Sequence, residues 1–176
     1  MFIKILLVII LPLAVFSANE RTPRDQNPVV YETEVTFRDF PWGTSQEEFI
    51  RRMGNPVSRE EINGLQSLMW ENIDVSGYST FMIAYFSGKG LEGGVYYFLT
   101  NTMDELMRCY SDMRQELRDR FGPTHLFNGI LRELRPYQCV WDLPGGFVHL
   151  RVNTRQGDPV TLWYSSQDLM RQLTGN

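Results

Sequence analysis

The sequence predicts an α+β domain: an antiparallel sheet with helices on one face, built from two similar units of one helix plus three strands. Three observations predict it. Two helix-like stretches open on a capping pattern and close on Gly and Pro, at residues 44–56 and 102–123. Each leads to a strand bearing a tryptophan, Trp70 or Trp141, and then to a hairpin with two aromatic-rich strands. The chain has 176 residues, 43% hydrophobic and 13% aromatic. That suffices for one buried core and is too apolar for general disorder.

The first element is a leader. Residues 1–18, MFIKILLVIILPLAVFSA, carry Lys4 before an apolar run, with Ser17 and Ala18 as small residues at a cleavage point. The run is short of the ~20 residues that span a bilayer and contains Pro12, so a cleaved signal peptide is expected in place of a membrane anchor. The protein is then periplasmic or secreted. Residues 19–28 read as a polar, proline-bearing tether, and residues 29–176 as a single α+β domain.

Within that domain, residues 29–37 alternate, with Tyr31, Thr33, Val35 and Phe37 against Glu32, Glu34 and Thr36, which predicts a half-buried strand. Residues 37–56 follow as aromatics, a tight turn, a short helix and a stop. Thr44 and Glu47 form a capping box, Phe49, Ile50 and Met53 make the apolar stripe, and Gly54 with Pro56 ends the helix. Strands are expected at residues 65–73, 79–86 and 91–100, the last two apolar on both faces, with turns at Gly77 and Gly88-Lys89-Gly90.

The long helix, residues 102–121, repeats the box with Thr102 and Glu105. Its stripe is Leu106, Tyr110, Met113, Leu117 and Phe121. After Gly122-Pro123, strands follow at residues 137–143, 147–154 and 160–165, and Ser165 or Ser166 caps a last helix over 166–173. The two units are about residues 37–100 and 101–165.

Two cysteines in an exported chain raise the question of a bridge. Cys109 borders the helical stripe and Cys139 shares a strand face with Tyr137, Trp141 and Leu143. If helix and strand pack together, a disulfide is geometrically open to them, and two small buried hydrophobes is the other reading.

Net charge is −4 with no basic patch, so nucleic acid is not an expected partner. Gly88-Lys89-Gly90-Leu91-Glu92-Gly93 fits G-x-G-x-x-G, but a strand pattern follows where a dinucleotide site needs a helix. No cofactor is expected. His125 and His149 lack neighbours at metal spacing, and Glu47-Glu48 and Glu60-Glu61 lie in polar surroundings, so no metal or catalytic residue is assigned. The balance leans away from an enzyme.

A binding face is a different matter. If Val148, Leu150 and Val152 face the core, Phe147, His149 and Arg151 point outward, and Trp163 joins them if Val160, Leu162 and Tyr164 face inward. Aromatic, His and Arg side chains together suit protein recognition.

The pattern Trp42-Gly43-Thr44-Ser45, helix, Met53-Gly54-Asn55-Pro56, then a Trp strand and an aromatic hairpin resembles the SmpA/OmlA group of envelope proteins. Its doubled form is similar to the beta-lactamase-inhibitor-protein-like fold, over residues 37–165. SmpA/OmlA proteins are typically small lipoproteins that assist outer-membrane protein assembly; this chain has no cysteine at the cleavage point and is longer. The resemblance implies a small exported module that acts by contact. The expected function is thus a non-enzymatic protein- or peptide-binding module of the bacterial cell envelope, using the sheet's open face or an edge strand. The alternatives are a small-ligand binder or hydrolase with a cleft between the units, and a structural envelope protein.

Overall fold

The computed structural model describes residues 30–124, 137–152 and 159–169. The expected signal peptide and tether, His125 and Asn153 lie outside them, as do residues 170–173 of the expected last helix. One compact unit begins at Tyr31. Its elements are α1 (Gln46–Met53), β1 (Ser58–Ile62), β2 (Leu65–Val75), β3 (Tyr78–Ser87), β4 (Gly90–Phe98), α2 (Met103–Phe121), β5 (Tyr137–Leu143), β6 (Gly146–Val152) and β7 (Val160–Ser165). The strands form one seven-stranded sheet in the order β1-β2-β3-β4-β7-β6-β5. Every neighbouring pair is antiparallel. The α+β class is as the sequence predicts.

The core lies between the helices and one face of that sheet. Phe49 of α1 and Leu106, Tyr110, Met113, Leu117 and Phe121 of α2 are buried against alternate residues of the strands. Those include Leu68 and Trp70 on β2, Met82, Ala84 and Phe86 on β3, Leu162 on β7, and Leu150 on β6. Burial with period two on the strands and near 3.6 on α2 is what two apolar surfaces need to close on one another.

Both helices end in the same way. Gly54 (φ 84, ψ 179) and Gly122 (φ 82, ψ −166) take a backbone conformation that side chains exclude. Each glycine N–H donates four residues back, to Ile50 O and Arg118 O. Each glycine carbonyl then accepts from a tryptophan: Trp70 Nε1 donates to Gly54 O at 3.1 Å and Trp141 Nε1 to Gly122 O at 2.9 Å. A helix end pinned to the strand that follows it thus occurs in both halves.

The structure corrects four local expectations. The N-cap of α1 is Ser45, whose Oγ accepts from Glu48 N at 3.2 Å. Thr44 is engaged elsewhere: its hydroxyl donates to Pro41 O and its carbonyl accepts from Leu91 N. In α2, Thr102 caps as expected, while Glu105 Oε2 accepts from the N–H of Asn101, one residue before the cap. Residues 30–36 form no strand; the segment is held against the end of α2, where Glu32 N donates to Arg120 O at 2.9 Å, and Phe37 makes a single bridge to Phe40 across Arg38 and Asp39, both at positive φ (53 and 61). The inward parity of Val35 and Phe37 is nevertheless correct. The first half also has a fourth strand, β1, joined to β2 through Asn63-Gly64.

Residues 37–45 are clamped to the β3–β4 hairpin. Gly43 N donates to Leu91 O and Leu91 N to Thr44 O, at 2.9 and 2.8 Å. A Cβ on Gly90 would lie 2.3 Å from Gly43 O, so glycine is required there by close backbone approach. Trp42 reaches the other half, donating from Nε1 to Gly145 O at 2.8 Å in the β5–β6 turn.

Candidate functional site

The side of the sheet away from α1 and α2 carries the candidate site. Register and parity place Phe147, His149 and Arg151 along β6 on that face, with Trp163 of β7 directly opposite His149. Phe147, His149 and Trp163 are half-buried and Arg151 is exposed; none belongs to the core. All four residues singled out from the sequence therefore share one face.

The structure adds residues that the sequence reading did not include. Following the ladder outward from Trp163, Val95 lies opposite it on β4, Ile83 beyond it on β3 and Met69 on β2; on the other side stand His149 and Val140. A second level holds Phe81, Tyr97, Thr161, Arg151 and Gln138, and a third holds Ser67, Tyr85, Gly93, Ser165, Phe147 and Asp142. Tyr85 and Trp163 stack, with ring centroids 5.8 Å apart and planes within 3°. Val95 is fully buried between its larger neighbours.

The chemistry of this face is apolar with a few directed polar groups. His149 Nε2 lies 3.2 Å from Gln138 Oε1, an arrangement in which Nε2–H donates to the amide oxygen. Burial, and then the neighbouring Arg151 charge, hold the His149 pKa below 6.5, its ordinary value, so the ring is neutral at pH 7. Burial pushes Tyr85 up to about 12, with Tyr97 adding to the shift, and burial raises Tyr97 too. Neutral hydroxyls, a neutral imidazole and one guanidinium are groups for contact and hydrogen bonding.

Leu169 meets this face at one point. Ser166 Oγ accepts from Leu169 N, capping the last helical turn, residues 167–169, and Leu169 Cδ2 lies 2.7 Å from where a Gly93 Cβ would stand. The turn is anchored through Glu92, a buried carboxylate at the β-bulge of β4. Ser166 Oγ donates to its Oε2 at 2.6 Å and Ser87 Oγ to its Oε1 at 2.8 Å. This explains Gly88-Lys89-Gly90-Leu91-Glu92-Gly93 as a hairpin turn running into β4, with Gly90 and Gly93 admitting neighbouring chain.

The cysteines are both free and both buried. Cys139 Sγ lies 3.3 Å from the Tyr110 hydroxyl, and burial pushes the Cys109 thiol up to about 12. Helix and strand do pack together, yet the bridge is not formed; the thiols act as small core groups. Among the described residues no three His, Cys, Asp or Glu side chains gather at metal-binding distance. Glu48 pairs with Arg51 at 2.6 Å, and Glu61 accepts from Gln66 Nε2 at 3.1 Å, both on the exposed surface.

No family model matches the chain, and no curated protein matches it. Among solved structures, one similar chain is the 1.5 Å crystal structure of an extracellular protein containing an SCP domain, from Bacillus anthracis str. Ames. The identity is 14% and the TM-score 0.46, over 85% of this chain and 52% of that one. The chain spans about half the length of that protein.

Among the described residues no helix is long and apolar enough to cross a membrane.

Proposed function

We propose that the chain is an exported, non-enzymatic protein-binding module of the bacterial cell envelope, acting by surface contact through the open face of its sheet. The observation that carries this reading is the three-level face of Phe81, Ile83, Tyr85, Tyr97, Phe147 and Trp163, half-buried and set opposite α1 and α2. Aromatic rings with an Arg at their margin are the side chains that concentrate binding energy in protein interfaces. The leader-like residues 1–18 supply the export half of the reading.

A cleft between the two halves is less well supported. On the helix side, the β4–β7 seam is filled by the fully buried Phe37 ring, 5.1 Å from Tyr96 and 5.8 Å from Tyr164 between centroids. A side chain of this size occupies the volume that a ligand would need.

The test is capture from native envelope extract with wild type, Arg151→Glu and Trp163→Ala as baits, each first checked for an unchanged melting profile. The reading expects a partner held by wild type and reduced about tenfold or more by either substitution. Equal recovery of every protein by all three baits would overturn it.

A further inference from the structure

We draw no further inference here: the strongest candidate, the half-buried aromatic patch of Phe81, Tyr85, Tyr97 and Trp163 on the sheet face away from α1 and α2, belongs to the candidate site already described, and beyond Leu169 at Gly93 nothing in the structure shows what covers it.

Discussion

Gly94→Ala is the substitution whose cost the structure sets most directly. A Cβ at this position would lie 2.2 Å from Cε1 and Cζ of Phe37. Carbon atoms in contact sit about 3.5–4.0 Å apart, so the ring must retreat by more than ~1 Å. It has nowhere to go. Phe37 is fully buried, with Phe49, Tyr96 and Tyr164 at centroid distances of 6.3, 5.1 and 5.8 Å. Overpacking of this kind costs about 1–3 kcal/mol, and a rigid ring held on three sides places Gly94→Ala near the upper end, about 3 kcal/mol. Phe37→Ala removes the ring and costs about 3–5 kcal/mol. In the double variant the clash is gone and the new methyl fills part of the cavity. Its total should not exceed that of Phe37→Ala, a coupling of about 3 kcal/mol in favour of the pair. Urea denaturation measures all four species; with a slope of about 2 kcal/mol/M, the Gly94→Ala midpoint falls by about 1.5 M. If the two costs add within about 0.5 kcal/mol, the ring does not rest on Gly94 and the account of this seam is wrong.

Two further outcomes test other parts of the fold. Gly54→Ala meets nothing within 4 Å, so its whole cost is the backbone conformation, about 1–3 kcal/mol by thermal unfolding. Gly122→Ala should cost more, because its Cβ also meets the Tyr31 ring at 3.1 Å; the reverse ranking would contradict the cap geometry. His149 gives a pH dependence. Its folded pKa is depressed by burial and then by Arg151, so the unfolded chain takes up a proton first as pH falls below 6.5. The contribution is therefore intact above 6.5 and is lost progressively as pH drops from there to the folded pKa. Unfolding free energies measured between about pH 8 and about pH 5 should decline less steeply for His149→Gln than for wild type, and equal slopes would contradict the burial of the ring.

Periodicity made the helices legible and left their exact caps to tertiary contacts. Thr44 and Ser45 are both good N-cap residues, and nothing local chooses between them. The choice falls to Ser45 because the Thr44 carbonyl is taken by Leu91 N, a partner 47 positions away in the chain that no local pattern announces. β1 was hidden for a related reason. Its sequence, Ser58-Arg59-Glu60-Glu61-Ile62, is exposed along most of its length, so side-chain alternation is absent and backbone pairing with β2 makes the strand. The signal that could have found it is Asn63-Gly64, a dipeptide suited to two positive φ angles, here 53 and 79. For the candidate face, β6 and β7 were readable because aliphatic and polar residues alternate there. On β3 and β4 both faces are apolar, and bulges at Trp70/Ile73 and Tyr85/Phe86 shift the register, so sequence could not say which residues share a level with Trp163.

That two-sided character has a physical meaning. An antiparallel sheet with one solvated face normally alternates apolar and polar residues, and strands apolar on both faces occur where both faces are covered. The helices cover one face of β3 and β4. The other retains Phe81, Ile83, Tyr85 and Tyr97 at partial exposure, a composition that costs solubility unless something covers it. The β1 edge is treated in the opposite way. Arg59, Glu60 and Glu61 line it, and a row of charges on an edge strand discourages another strand from pairing there. A charged edge beside an apolar face directs association at this end of the sheet to the flat surface and away from strand addition.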